Sequence, residues 1–305
     1  MPATHVLTLV LAVPEPSLVS RLSEAVAPLL TQHGLSALPP VWLSPNRAWD
    51  CPLSGSIAAN DFIKLRERLK ATLDPLPCDW ALFPLAHREK RLLVADMDST
   101  ILEGECIDEL AARLGIGEAI ADITRRTMNG ELAFEESLRL RVAMLKGMPV
   151  SVIDEVLAEI RPSAGAAVLL RTLRRRGCYT ALVSGGFRPF TAAVRRQLGF
   201  DYDESNTLIV QDGRLTGELG LPIVGPDAKQ SALLRLAEAQ NIPMAATLAV
   251  GDGANDLGMI RVAGLGVAYR AKPVVADAAQ AAIRVSDLTT LLFFQGIPES
   301  AFALD

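Results

Sequence analysis

Leu92-Leu93-Val94-Ala95-Asp96-Met97-Asp98-Ser99-Thr100 is the stretch that decides how the chain folds. Its apolar run fits a strand buried on both faces, as in a parallel sheet. Two carboxylates follow at once. Asp96 and Asp98 are two residues apart, so an extended chain points both to the same side. They stand at the carboxyl end of the strand, where open α/β sheets bind ligands. Carboxylates this close repel each other unless a cation or a shared proton relieves them. A plain turn after a strand uses the same residue types, so the function has to be read from this stretch together with others.

Two more strand ends carry polar residues. Ala181-Leu182-Val183 runs into Ser184-Gly185-Gly186, where a hydroxyl and two glycines let backbone N–H groups approach an anion. Leu248-Ala249-Val250 runs into Gly251-Asp252-Gly253-Ala254-Asn255-Asp256. Hard divalent cations such as Mg²⁺ take oxygen ligands and keep several waters. Asp96, the backbone carbonyl of Asp98, and Asp252 can supply the protein's share. Lys229, in Asp227-Ala228-Lys229-Gln230, opens the helix leading to the third strand. As an isolated residue it would read as a solvated surface lysine.

From Arg91 onward, apolar strands alternate with helices, the mark of a parallel sheet. Strands are expected at Leu92–Ala95, Tyr179–Val183, Thr247–Val250, Gly264–Ala268 and Ile283–Val285. The mostly helical insertion at about 102–162 exceeds what one crossover needs and predicts a separate cap. Asn206–Val210 and Leu215–Glu218 flank Asp212-Gly213, a hairpin signal. Before residue 85 the composition shifts: more than half of the 19 prolines and all 3 tryptophans lie there. The strand Val6–Val13, a helix with Leu18, Leu22, Val26 and Leu29 on one face, and a second helix with Phe62, Leu65, Leu69 and Leu73 predict a small α/β unit. The expected division is 1–85 and 86–305. Trp42 and Trp49 are expected in a core or an interface. Arg174-Arg175-Arg176 suits the negative end of a helix before Gly177.

The 305 residues carry a net charge of −5 and are 50% hydrophobic. That is enough apolar material for a sizeable core, and the charge argues against nucleic acid as the partner. Cys51, Cys78, Cys106 and Cys178 form no CxxC pair, which speaks against a zinc ribbon or a thioredoxin motif. Scattered thiols fit a reducing cytoplasm. The three histidines, His5, His33 and His87, leave no Ser-His-Asp triad to the rest of the chain. The apolar run near the start falls short of the ~20 residues of a membrane span, and no Lys or Arg precedes it as in a signal peptide. A cytoplasmic protein is expected.

Taken in order, Asp-x-Asp-Ser-Thr, Ser-Gly-Gly, a lysine and Gly-Asp-Gly-x-Asn-Asp resemble the haloacid dehalogenase superfamily. Within it the chain is most similar to the phosphoserine phosphatase family. The stretch Glu103-Gly104-Glu105-Cys106-Ile107-Asp108-Glu109-Leu110-Ala111 carries that likeness, as do Met128-Asn129-Gly130 and Phe134-x-x-Ser137-Leu138-x-x-Arg141-Val142. The resemblance implies a Rossmann-like sheet with a helical cap. It also implies Mg²⁺-dependent hydrolysis of O-phospho-L-serine, the last step of serine biosynthesis. Asp96 would be the nucleophile and Asp98 the acid and base. Mg²⁺ would be held by Asp96, Asp98 and Asp252. Ser184, Gly185 and Lys229 would hold the phosphoryl group, with Gly186 beside them, and Asn255 and Asp256 would complete the substrate and metal-side network. Glu105 would take the substrate ammonium and Arg141 its carboxylate, with Met128 and Phe134 in support. Residues 1–85 look like an ACT-type regulatory unit, a type associated with dimer contacts, so a homodimer through this unit is expected. The rival readings are a phosphotransferase using phosphoserine as donor and a non-catalytic serine sensor.

Overall fold

The computed structural model describes residues 2–128 and 131–305. Asn129 and Gly130 of the expected cap motif, and the side chain of Met128, lie outside that description. The strands are β1 (His5–Leu11), β2 (Ser36–Ala37), β3 (Val41–Ser44), β4 (Ala48–Ser54), β5 (Cys78–Pro84), β6 (Leu92–Ala95), β7 (Tyr179–Phe187), β8 (Tyr202–Asn206), β9 (Leu208–Gln211), β10 (Arg214–Leu219), β11 (Thr247–Gly251), β12 (Leu265–Tyr269) and β13 (Ala281–Ile283). The helices are α1 (Pro16–Gln32), α2 (Ala59–Leu73), α3 (Cys106–Leu114), α4 (Gly117–Met128), α5 (Phe134–Ala143), α6 (Ser151–Glu159), α7 (Ala166–Arg175), α8 (Arg188–Leu198), α9 (Pro226–Ala239), α10 (Leu257–Val262), α11 (Pro273–Ala278) and α12 (Thr290–Phe294).

The order β13-β12-β11-β6-β7-β8 is parallel throughout and puts β6 between β11 and β7. All four residues of β6 are fully buried, as its unbroken apolar run requires. Leu93 and Ala95 enter one core with Leu169, Leu173 and Phe293, while Leu92 and Val94 enter another with Leu233, Leu236 and Ile260. Burying one such aliphatic side chain is worth about 1.5–3 kcal/mol. The sheet is thereby clamped on both faces and its carboxyl edge is held in place.

The antiparallel strands β2, β4, β1 and β5 continue the same sheet, through a bridge between Trp80 of β5 and Ala282 of β13. Leu18, Leu22 and Val26 of α1 are buried beneath them as expected, but the next buried position is Leu30, one residue after Leu29. Trp49 is buried against the same core, whereas Trp42 on β3 is 44% exposed.

Several expected strands shift: β1 is His5–Leu11 rather than Val6–Val13, and β7 runs on past Val183 to Phe187. Gly264 donates its N–H to Thr247 Oγ1 at 3.0 Å, so β12 begins one residue later, at Leu265. Expected at Ile283–Val285, the last strand is β13, Ala281–Ile283, because the N–H groups of Arg284 and Val285 turn onto the Asp79 carboxylate at 2.7 and 3.2 Å. The hairpin forms around Asp212-Gly213, both at positive φ, but its first strand is Leu208–Gln211. Asn206 instead ends β8.

Helices α3 to α6 make the cap. Its base is an antiparallel bridge between Leu102 and Pro162, flanked by Glu103 N–H to Arg161 O and Ser163 N–H to Ile101 O, each 2.9 Å. The β9–β10 hairpin joins the cap through a bridge between Pro149 and Arg214. Among the described residues no helix is long and apolar enough to cross a membrane.

Candidate active site

Three adjacent strands bring the polar residues together. Ala95 is level with Val250 on one side and Leu182 on the other. Asp96, Ser184 and Asp252, each just past that level, therefore share one crest. After Asp96 the chain makes a single wide turn, Met97–Ile101, in which Asp98 is extended and Ser99 takes φ 55°. Such a backbone costs energy in a residue with a side chain. Ser99 is held there by its N–H to Gly104 O at 2.9 Å and its hydroxyl to Glu105 Oε1 at 2.8 Å.

Lys229 lies in the first turns of α9 and is 1% exposed. Its ammonium meets Asp96 Oδ1 at 2.7 Å and Asp256 Oδ1 at 2.6 Å. Asp256, fully buried, accepts on Oδ2 from the N–H groups of Asp252 at 3.1 Å and Gly253 at 2.9 Å. Asp256 thus ties the lysine to the loop that presents Asp252. Thr100 donates to Asp252 Oδ1 at 3.1 Å. Asp98 points the other way: Oδ1 accepts from the Cys106 N–H at 2.9 Å, and Oδ2 faces the Ser184 hydroxyl at 3.5 Å. A Cβ on Gly186 would stand 2.8 Å from Asp98 Oδ2 and 3.0 Å from Ser184 Oγ, so a side chain there would push on both groups. Its N–H donates to Ser184 Oγ at 2.8 Å. Asn255 folds over Gly253, its Oδ1 filling the place of a side chain there.

Oxygens of Asp96, Asp252 and Asp256 lie within 4.8 Å of one another. With Asp98 that makes four carboxylates against one ammonium, so the crest carries excess negative charge. Burial, followed by the charge of Asp256, pushes the Asp96 carboxyl well above the usual range. Burial does the same to Asp98. Asp252 is pushed up to about 6, by burial first and Asp256 second. Burial works to lower the Lys229 ammonium, but Asp256 and Asp96 outweigh it and hold it above its ordinary value. A hard, oxygen-seeking divalent cation fits this donor set, which offers no sulfur or imidazole.

The cap supplies the rest. Phe134, at the start of α5, lies over the glycines; a Cβ on Gly185 would stand 3.1 Å from its ring and one on Gly225 3.7 Å. Glu105 precedes α3. Although it reaches solvent at the rim, its carboxyl is pushed up to about 7, by burial and then by the charge of Asp98. Arg141 is half-buried on α5, where burial lowers its guanidinium while Glu105 and Asp108 pull it the other way. Its Nε donates within its own helix, to Ser137 O at 3.4 Å. Glu105 and Arg141 are linked by field rather than by a direct bond.

Thr100 and Asn206 escaped the sequence reading. Thr100 stood in the first motif but read there as a capping residue. Asn206 read as the first residue of a hairpin and gave no other signal.

The sequence model of the haloacid dehalogenase-like hydrolases matches residues 93–261. A phosphoserine phosphatase of Streptomyces coelicolor is 48% identical over 213 residues, 70% of this chain and 52% of that protein. The chain thus matches about half the length of that relative. One from Archaeoglobus fulgidus is 40% identical over 244 residues, 79% of this chain and 71% of the other. The crystal structure of a HAD family hydrolase from Salmonella enterica serovar Typhi superimposes with a TM-score of 0.81 at 30% identity. It covers 95% of this chain and 98% of its own. Three strand ends meeting at one acidic crest, a helical cap above them and these matches together place the chain in the haloacid dehalogenase-like hydrolase family.

Proposed function

We propose that the protein hydrolyses O-phospho-L-serine to serine and phosphate. One observation carries the reading: a buried carboxylate, Asp96, held by a buried lysine beside Ser184 and beneath a cap that carries Glu105 and Arg141. Phosphoryl transfer is catalysed mainly by positioning and charge. The phosphoryl group sits between Ser184, the Gly185 amide and Lys229. Asp96 attacks phosphorus, the bond from phosphorus to the serine oxygen breaks, and Asp98 gives that oxygen its proton. Water then attacks the aspartyl-phosphate, Asp98 takes a proton from it, and Asp96 is regenerated. That Asp98 faces Ser184 and is not among the clustered oxygens of Asp96, Asp252 and Asp256 supports this role. Asn255 and Asp256 steady the third loop. Asp96, Asp252 and the Asp98 carbonyl would hold Mg²⁺, which supplies positive charge to the phosphoryl oxygens when bound. Arg141 grips the substrate carboxylate, for which a guanidinium is the matched fork, and Glu105 takes the ammonium.

The same reading divides the chain into 1–85 and 86–305. The antiparallel order β2-β4-β1-β5, with α1 and α2 between strands, supports an ACT-like unit for the first.

The test is a panel of phosphomonoesters assayed with chelator and with added Mg²⁺. Phosphoserine should be the best substrate, with activity lost to chelator and restored by Mg²⁺. Preference for an ester without an amino-acid moiety would overturn the substrate, and absence of phosphate release from every ester would overturn the enzyme. Diversion of phosphate to an added alcohol such as homoserine would favour the transferase.

A further inference from the structure

The β7–β8 pairing changes register between Val183 and Phe187, across the Ser184-Gly185-Gly186 loop. A bulge of this kind leaves backbone groups without ladder partners, and a buried carbonyl needs one. Asn206 provides it. The residue is fully buried at the end of β8, and its Nδ2 donates to Gly185 O at 2.9 Å. The same carboxamide donates to Val224 O at 3.1 Å, and its Oδ1 accepts from Val224 N–H at 2.8 Å. Val224 comes directly before Gly225, the residue that caps α9, and Lys229 lies in the first turns of that helix. One side chain therefore joins the loop bearing Ser184 to the helix bearing Lys229. It also sets the two glycines on which Phe134 rests, since Gly185 and Gly225 flank the joint.

We propose that Asn206 is a positioning residue of the phosphoryl seat: it sets the spacing of Ser184 from Lys229 and levels the glycine platform that receives the cap. The inference rests on the phosphatase reading but not on serine as the substrate. A carboxamide suits the task because it donates twice and accepts once with every bond made inside the protein.

The test compares Asn206→Asp and Asn206→Ala with the unaltered Mg²⁺-loaded protein. Asn206→Asp keeps the volume and the bond from Val224 N–H but cannot donate to both carbonyls. Phosphate release is measured from phosphoserine and from p-nitrophenyl phosphate, with inhibition by inorganic phosphate and thermal unfolding alongside. Misplacement of reacting groups by ~1 Å can cost ~100-fold. The expected result is a fall in kcat of about tenfold or more on both esters, by a similar factor. Inhibition by inorganic phosphate should weaken in step, in protein that still unfolds cooperatively. A loss confined to phosphoserine would overturn the inference, because the phosphoryl seat is common to both esters. Lower thermal stability with kcat and phosphate inhibition within about twofold of the parent would overturn it as well and leave Asn206 a residue of the fold. Failure of both variants to fold has the same meaning. If the unaltered protein cleaves p-nitrophenyl phosphate but not phosphoserine, the substrate reading fails and the Asn206 comparison still stands on the generic ester.

Discussion

Two regions of this molecule bury carboxylates, and they treat them oppositely. At the seam between the N-terminal strands and the parallel sheet, Asp79 is fully buried with every partner supplied from within the protein. It accepts from the N–H groups of Arg284, Val285 and Ser286 at 2.7, 3.2 and 2.9 Å, and from the Ser286 hydroxyl. Nearby, Asp50 takes both ends of the Arg88 fork at 2.6 and 2.7 Å, with Thr8 at 2.7 Å. At the crest, Asp96, Asp98, Asp252 and Asp256 share one ammonium, and burial pushes Asp96, Asp98 and Asp252 upward. A buried charge is costly unless paired and hydrogen-bonded. The seam meets that condition, and its carboxylates hold the fold. The crest leaves it unmet among its own residues, which is the imbalance that the proposed cation would relieve.

Converting an acid to its amide should therefore act in opposite ways in the two regions. The largest effect is expected from Asp96→Asn: a fall in phosphate release of at least about 10⁴-fold, because the proposed nucleophile is lost. Yet thermal unfolding of the metal-free protein should be unchanged or shifted upward, since one of four crowded carboxylates is neutralised and Lys229 keeps Asp256. A melting temperature several degrees lower would break the comparison. Substantial residual hydrolysis in the folded variant would remove Asp96 as nucleophile. Asp98→Asn should cost about 10²–10⁴-fold, the usual worth of an acid–base group, and should slow both formation and breakdown of the acyl phosphate in rapid-quench experiments. An unchanged steady-state rate would sink that assignment.

The cap is the next place to press. Arg141→Ala should lower kcat/KM for phosphoserine by roughly ten- to a hundred-fold, since hydrogen bonds to charged groups are worth ~1.5–3 kcal/mol. Phosphoethanolamine, which has no carboxylate, should barely respond. Glu105→Gln should weaken both substrates, because both carry the ammonium. Equal losses of the two substrates in Arg141→Ala would make Arg141 a residue of cap structure.

What could be read in the sequence follows the same division. The crest was legible because strand-end chemistry is local: Asp96, Asp98, Ser184, Asp252 and Asp256 all sit within a few residues of an apolar run that announces a strand. Lys229 was legible only through its order among the motifs, since nothing near it in sequence marks it as buried. The seam was not legible at all. Asp79 and Ser286 meet across 207 positions, and Asp79 reads locally as an ordinary polar residue in a proline-rich stretch. That long-range bond set also displaced the last strand from the place its apolar pattern suggested. Asn206 failed for the same reason, its three bonds lying 18 and 21 positions away.

The smallest effect should come from the seam, and it bears most directly on the contrast. In Asp79→Asn the amide must present its NH₂ group to N–H donors that the carboxylate had accepted, so some of the bonds from Arg284, Val285 and Ser286 are lost. With hydrogen bonds to charged groups at ~1.5–3 kcal/mol and unsatisfied buried donors at ~1–3 kcal/mol, a loss of about 2–3 kcal/mol in unfolding free energy is expected. For a chain of this size that lowers the melting temperature by roughly 3–5 °C. Strand β12 separates this joint from the crest, which starts at the end of β11, so kcat and KM of the folded variant at 25 °C should match the parent. Urea unfolding and steady-state kinetics on one preparation read both quantities. Unchanged stability would mean that Asp79 does not hold the seam. A fall in kcat without a fall in stability would mean that the N-terminal strands act on catalysis, and the two regions could no longer be treated as one that holds and one that works.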